Sequence, residues 1–441
     1  MFSRDQHRFD RLSLDIKEQR ILRDGEPIPG WSKRRFRLLK ALMDAGGDPV
    51  SYDQLIERVW GDSDVTLHTI IQTANDLKRA LEEFSDCVQN IPGVGYSFRK
   101  PLSRNTNTPN PEGLDLETLT RHAVGLDESR LRTEASLRRA LEHFRYVTEQ
   151  CPQFVEALLA KADCLIVLGH TGYQTFSPVQ ILEEAYGAAR AALKLALNDK
   201  ALAAALATLG KIELIFEWDL AGAEAKYRRA LSLDSECVAA FHGLAHVFLF
   251  SGRWPESLQA IDEARRLSPN SPMIHGTAGW LRYFMGHFDD AIRHGEKTVG
   301  FHNRFPPGQV MLGVSYQAVG EHLKAVRSFE AAYALEPSPV ALSCLGHVLA
   351  VTGRISKAKS CLNRLDGMRR SRFVSSWCNA LIHTGLGDAE KAISSLREAA
   401  DERCDWLLHL GMEPRWDSLK GLSAFSALVE RVRRTKRVEQ R

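Results

Sequence analysis

The sequence predicts a mostly α-helical protein in two parts. A small α+β unit of short strands, three helices and a terminal hairpin comes first, and an all-α superhelix of stacked helix pairs follows. Three observations carry this. The stretch VQNIPGVGYSF, Val88 to Phe98, sets two short apolar runs around Pro-Gly-Val-Gly, the pattern of a tight β-hairpin. The chain behind that hairpin has almost no strand signal. From Ala140 onward a small residue recurs at a period close to 34, counting along the numbered sequence.

The first unit can be read element by element. Residues 9–30 read as short strands with a turn at Asp24-Gly25. Ser32 caps a helix, WSKRRFRLLKALMDAGG, in which Phe36, Leu39, Leu42 and Met43 keep helical spacing and Gly46-Gly47 end the run. Ser51 with Gln54 three residues later makes a capping box that opens YDQLIERVW. After GDSD comes a longer helix, Val65 to about Phe84, and then the hairpin. Strands, three helices and a terminal hairpin in this order make a winged helix-turn-helix, with the hairpin as the wing.

The long helix is the candidate reader of DNA. At 100° per residue, Ile70, Ala74, Leu77 and Leu81 form one apolar stripe. Opposite it lie His68, Gln72, Asn75 and Arg79, flanked by Thr69, Ile71 and Lys78. Gln and Asn pair bidentately with adenine, and Arg with guanine. A polar face opposite an apolar stripe is also what any solvated helix shows. The helix-turn-helix before it and the wing behind it favour readout. Lys33 and Arg34, near a helix start, read equally as phosphate contacts or as solvated charges.

Bulk composition sets limits. The chain has 441 residues, 44% hydrophobic and 26% charged, with a net charge of +3. No apolar run approaches the roughly 20 residues of a membrane span, and MFSRDQHRFD has no signal-peptide core. Both point to a cytoplasmic protein with no membrane partner. Residues 1–104 hold 17 basic against 16 acidic residues, a balance of +1, so a DNA-binding reading must rest on where the charges sit. The eight cysteines form no Cys-x-x-Cys pair and read as buried thiols rather than disulfides or metal ligands.

Residues 102–113, LSRNTNTPNPEG, read as a linker. The domain boundaries are placed at 1–104 for the winged helix, 105–115 for the linker and 116–436 for the solenoid. In the solenoid, Ala140, Ala185, Ala223, Ser257, Ala291, Ala325, Ala358 and Ala392 are spaced by 45, 38, 34, 34, 34, 33 and 34 residues. A Gly stands five residues earlier in five successive units, at Gly252, Gly286, Gly320, Gly353 and Gly387, where it serves the turn between the paired helices. A period of 34 is the tetratricopeptide length. Its marks are clearest in MLGVSYQAVGEHLKAVRSFEAAYALEP, which carries Leu312-Gly313, Tyr316, Gly320, Ala325, Phe329, Ala332 and Pro337.

Residues 9–100 resemble the DNA-binding domain of OmpR-type regulators, in the variant found in CadC-like proteins. VSYDQLIERVWG, the VT…LKRAL helix and IPGVGYSF carry the resemblance. It implies that the long helix enters the major groove and that the wing, with Gly93, Val94 and Tyr96, approaches the minor groove. Two features depart from the family: KRRFR stands around Arg35 where relatives often carry Glu, and Pro92 where response regulators often carry Arg. FEWDLAGAEAKYRRALSLD and ERCDWLLHLGMEPRWDSLKGLSAFSALVER are similar to segments that follow such domains in bacterial regulators. The resemblance implies a one-component regulator, an activator rather than a repressor, with no receiver domain expected to control it.

In a tetratricopeptide array the first helix of each pair lines a concave groove, and the spacing places His242, His246, Trp280, Tyr283, His347 and Trp377 on it. They read either as packing residues or as a site for a peptide segment or small molecule. His242 and His246 have the i, i+4 spacing of a zinc helix but lack the following Glu and a third ligand. There is no phosphate-binding loop, and Gly93 with Gly95 is half a dinucleotide fingerprint joining two strands. Neither catalysis, metal nor cofactor is expected. The tail ERVRRTKRVEQR reads as a capping end rather than a second DNA contact. Expected partners are double-stranded DNA, RNA polymerase, and an unidentified protein or small molecule for the repeats. The rival reading is an interaction scaffold whose winged helix binds protein.

Overall fold

The computed structural model describes residues 8–9, 11–15, 18–23, 25–28, 32–45, 50–61, 65, 67–91, 95–98, 114–130, 132–170, 176–269, 271–301 and 305–435. It divides into two units, Met1–Asn110 and Pro111–Arg441. The Asp24, Gly46-Gly47 and 62–64 turn positions, Pro92 to Val94, and the linker at 102–113 lie outside the described residues.

The first unit opens with an antiparallel sheet of β1 (Arg8–Phe9), β2 (Leu12–Asp15), β3 (Arg20–Arg23) and β4 (Glu26–Pro27). Helix α1 (Lys33–Asp44) starts at Ser32, whose Oγ accepts from the Arg35 N–H at 3.3 Å. Its Phe36, Leu39, Leu42 and Met43 are all buried, as their spacing demands. After β5 (Val50–Ser51) the capping box forms: the Ser51 N–H donates to Gln54 Oε1 at 3.1 Å and the Gln54 N–H to Ser51 Oγ at 3.2 Å. Helix α2 (Tyr52–Leu55) runs on as a π-helical turn to Trp60.

Helix α3 (Leu67–Leu81) stops three residues before the sequence-based boundary, because Glu82 takes a left-handed φ of +48° and a 3₁₀ turn follows. The wing strands β6 (Val88–Ile91) and β7 (Gly95–Phe98) pair from Val88↔Phe98 to Ile91↔Gly95. β5 joins the other edge of β7 at Val50↔Tyr96, which makes β7 the central strand. At Gly95 a Cβ would collide with the Val50 carbonyl. The core gathers Ile70, Ala74, Leu77 and Leu81 of α3 with α1 and β7.

Among the described residues the second unit forms eight successive helix pairs. They are α4 (Leu116–Arg130) with α5 (Glu134–Gln150), α6 (Val155–Gly169) with α7 (Pro178–Leu195), and α8 (Asp199–Ile212) with α9 (Leu220–Leu233). Next come α10 (Val238–Phe250) with α11 (Trp254–Leu267), α12 (Pro272–Phe284) with α13 (Phe288–Phe301), and α14 (Pro306–Ala318) with α15 (His322–Leu335). The last are α16 (Pro339–Val351) with α17 (Ile355–Met368), and α18 (Ser376–Gly385) with α19 (Ala389–Asp401). The eight small residues of the repeat each sit on the second helix of a pair, and every one is fully buried. That is where two helices must approach most closely. The five turn glycines hold φ between +74° and +81°, a left-handed conformation that costs a residue with a Cβ about 1 kcal/mol.

The array bends far enough for its first pair to reach its later ones. At the start of α5, the Glu134 N–H donates to Glu336 at the end of α15 at 2.5 Å, and the Glu134 carboxylate pairs with Arg372 at 2.6 Å. Two 3₁₀ turns, Asp405–His409 and Pro414–Leu419, follow α19, and α20 (Ser423–Thr435) buries Phe425, Leu428 and Val432. All eight cysteines are free, and all but Cys151 are buried.

Candidate nucleic-acid interface and repeat groove

The stripe on α3 decides what its other face does. Ile70, Ala74, Leu77 and Leu81 are at most 1% exposed, so the opposite side of the same helix faces solvent. Gln72, Asn75 and Arg79 are exposed there, and Thr69 and Lys78 are half-buried at its edges. Arg79 pairs with Asp76 at 2.6 Å while 78% of its side chain stays in water, so the pair is a weak tether that a stronger partner can replace. His68 and Ile71 lie on α3 with side chains outside the described set, and Gly93 and Val94 lie wholly outside it.

Lys33 and Arg34 are exposed in the first turn of α1, which carries no acidic residue. Positive charge at the positive end of a helix works against the helix dipole. Their charges are solvated and lend the helix no dipole stabilisation.

Tyr96 is a correction. It was expected at the wing surface, but it is 1% exposed and packs edge-on against Tyr52 at 6.2 Å. Burial pushes its phenol up to about 12, with Tyr52 adding to the shift. The reason is topological: all four residues of β7 are buried because β5 and β6 flank that strand. Its side chain belongs to the core and is not free to reach a partner at the wing surface.

The six groove residues lie on the first helices of four pairs, α10, α12, α16 and α18, but most are covered. What covers them is the chain's own segment after α19. The Trp406 ring meets Trp280 at 5.4 Å and Trp377 at 4.6 Å, and Trp416 meets Trp377 at 6.0 Å. His409 stacks on Phe284 at 4.0 Å. The Tyr283 hydroxyl donates to Glu413 at 2.5 Å. Glu413 in turn holds Arg415 through two bonds of 2.9 Å, and Arg415 donates to Cys344 Sγ at 3.1 Å. Trp377 and Tyr283 are 1% exposed and His347 is 4% exposed. The aromatic half of the groove is thus an interior, with a fully buried Glu–Arg pair at its centre. Burial would raise the Glu413 carboxyl, but Arg415 and the Tyr283 hydroxyl bring it below its ordinary value.

His347 belongs to this interior, whereas His242 and His246 on α10 are only half-buried. Burial lowers His347 to about 3, helped by Arg415, and its Nδ1 bonds the Gln317 side chain at 2.7 Å. Burial also lowers His246 to about 4 and His242 well below its ordinary value. His242 Nε2 bonds Thr277 Oγ1 at 2.9 Å. At the edge of the segment, His170 Nε2 meets Asp405 at 2.9 Å.

Reading the groove from its period missed Asp405, Trp406, His409, Glu413, Arg415 and Trp416. The signal was present in CDWLLHLGMEPRWDSL, which breaks the 34-residue period yet spends two Trp and an acid–Pro–Arg turn.

Comparison with known proteins agrees with this architecture. Residues 26–98 match the family described as transcriptional regulatory protein, C terminal, and residues 219–272 match the tetratricopeptide repeat. The chain therefore carries an OmpR-type winged-helix domain followed by tetratricopeptide repeats. It is 30% identical over 71 residues to the transcriptional regulator HilA of Salmonella typhimurium, covering 16% of this chain and 13% of HilA. It is 36% identical over 72 residues to the transcriptional regulatory protein YvcP of Bacillus subtilis, covering 16% of this chain and 30% of YvcP. The matches thus span less than a third of either relative. Among solved structures, a chain of the APC/C hetero-tetramer Cut9–Hcn1 superposes with a TM-score of 0.51 at 16% identity, over 91% of this chain and 64% of that one. At that identity the likeness concerns the fold alone. Among the described residues no helix is long and apolar enough to cross a membrane.

Proposed function

We propose that the protein is a one-component DNA-binding transcriptional regulator, an activator, whose repeat array binds a partner and whose partners include double-stranded DNA and RNA polymerase. The observation that carries the reading is the solvent face of α3, where Gln72, Asn75 and Arg79 stand opposite a fully buried stripe in a domain of regulator type. Base edges are read by α3, with His68, Thr69, Ile71 and Lys78 around the three exposed residues. Gly93 and Val94 approach the minor groove, and Lys33 and Arg34 hold phosphate. Activation rests on the family resemblance.

The test is gel-shift titration of the full chain on its own promoter region, with the salt stated. Asn75→Ala and Arg79→Ala should each weaken binding by about 1–3 kcal/mol if the residue makes a bidentate base contact. Unchanged affinity in both would take α3 out of the reading role. Failure of the wild type to shift DNA would leave the scaffold reading, which the near-neutral balance of residues 1–104 favours. The boundaries 1–104, 105–115 and 116–436 predict first cleavage by a protease within 105–115.

A further inference from the structure

Ten large apolar side chains are exposed among the described residues, and four of them stand on two neighbouring turns of the array. Val319 and Leu323 flank Gly320 in the α14–α15 turn, and Val351 and Ile355 flank Gly353 in the α16–α17 turn. Leu323 is 65% exposed and the other three at least 40%. The two turns share one edge of the superhelix. The chain reverses at the short connections after α14 and after α15, so α14 and α16 run the same way. They also pack on each other, which sets their ends side by side.

Charge singles out the same two turns. Residues 351–360 carry Arg354, Lys357 and Lys359 and no acid, and residues 318–327 carry Lys324 and Arg327 against Glu321. The same ten positions in the pairs on either side, 284–293 and 385–394, each hold two acids and one Lys or Arg. All five cations of the two turns are exposed. Lys324 pairs with Glu321 at 3.7 Å, whereas Arg327, Arg354, Lys357 and Lys359 form no ion pair among the described residues.

Apolar area held in water beside unpaired cations is suited to a partner that offers both complements. A nucleic-acid backbone would match the charges and leave the aliphatic side chains wet. A lipid interface favours Trp and Tyr, and neither occurs in these two stretches. A second copy placed symmetrically on this face would set like charges against each other. An acidic helix with one apolar stripe answers both features.

We propose that the α14–α15 and α16–α17 turns form a docking surface for an acidic amphipathic helix of a partner protein. Its carboxylates meet the cations around α17, and its apolar stripe meets the four aliphatic side chains. The surface rests on, and deepens, the reading of the array as a partner-binding module.

The test is fluorescence anisotropy of the full chain with a labelled helical peptide of about 20 residues. The peptide has Leu at i, i+3, i+4 and i+7 and Glu elsewhere, and its control has Lys for every Glu. The Glu peptide should bind saturably and the Lys peptide should not. Lys357→Glu with Lys359→Glu should weaken binding at least about tenfold. Leu323→Ser with Ile355→Ser should weaken it severalfold at an unchanged melting temperature, since both residues are exposed. The proposal is overturned if the Glu peptide does not bind saturably up to about 1 mM, or if either double variant binds it as the wild type does. It is also overturned if the Lys-to-Glu pair lowers binding to random duplex DNA or to phosphatidylglycerol vesicles more than binding to the peptide. Should the Ser pair not fold, the Lys-to-Glu pair decides. The promoter gel shift is run on the same samples. Peptide binding lost with that shift intact concerns this surface alone, and a wild type that binds peptide but not promoter fails the regulator reading alone.

Discussion

The polar face of α3 and the aromatic half of the repeat groove were picked out by the same kind of argument, a helical wheel, and the structure treats them in opposite ways. On α3 the wheel leaves Gln72, Asn75 and Arg79 in water. In the groove it brings Tyr283, His347 and Trp377 to one concave surface, and they are then buried under Trp406, Glu413, Arg415 and Trp416. The difference lies in what remains to be covered. A helix in a small α+β domain has one buried side, and its other side faces solvent. The inner face of a superhelix is a hollow, and a chain long enough to turn back can fill it. Position on the inner face therefore does not make a residue available to a partner.

The sharpest way to break this comparison is to attack the filled half. Trp377→Ala should cost about 3–5 kcal/mol, the range for truncating a large buried aromatic residue. Arg415→Ala should cost about 3–5 kcal/mol because it strands Glu413 as an unpaired buried charge. Both would appear as a lowered melting temperature of the repeat unit. Melting like the wild type in both variants would mean that the groove is open and that its tryptophans are free for a partner.

A smaller effect should come from pH. His347 titrates normally near 6.5 in an unfolded chain but is lowered to about 3 by burial in the fold. Below pH 6.5 the unfolded chain takes up a proton that the buried ring refuses, so its stabilising contribution is full above pH 6.5 and drains away towards pH 3. Each pH unit in that window is worth at most about 1.4 kcal/mol for one group. His246, lowered to about 4 but half-buried, adds in the same direction with less weight. Chemical denaturation at pH 7 and pH 5 measures the slope. A repeat unit equally stable at both would show that these rings are solvated.

How much could be read from the sequence follows the range of the interaction. The capping box at Ser51 and Gln54, the α3 stripe and the turn glycines each depend on residues within a few positions of one another, and all stand in the structure as their spacing demands. The eight small repeat residues depend only on the neighbouring helix, and all are fully buried. Tyr96 went astray because its burial depends on β5, some 45 residues earlier in the sequence. For the groove the sequence left packing and a partner site both open, because the Tyr283–Glu413 bond that covers it spans 130 residues. No period or face argument reports which distant segment returns to cover a surface.

A turn glycine gives a finer test, with no distant partner involved. Gly320 has open space around its Cα and φ +80°, so Gly320→Ala meets no clash and carries only the left-handed strain, about 1 kcal/mol. A loss several times larger would mean that the turn is packed against something. No loss would mean that the turn relaxes freely and does not set the angle between α14 and α15.

The smallest expected effect on stability is the one that sharpens the comparison most. Asn75 is exposed on α3, away from the core, so Asn75→Ala should change unfolding free energy by no more than about 0.5 kcal/mol. The same substitution should weaken promoter binding by about 1–3 kcal/mol. Trp377→Ala should do the reverse, with a large loss of stability and an unchanged gel shift at temperatures where the chain remains folded. Measured side by side, the two variants separate a residue that serves a partner from one that serves the fold. If Asn75→Ala costs stability and leaves DNA binding untouched, the α3 face is structural, and the two regions differ only in how much water reaches them.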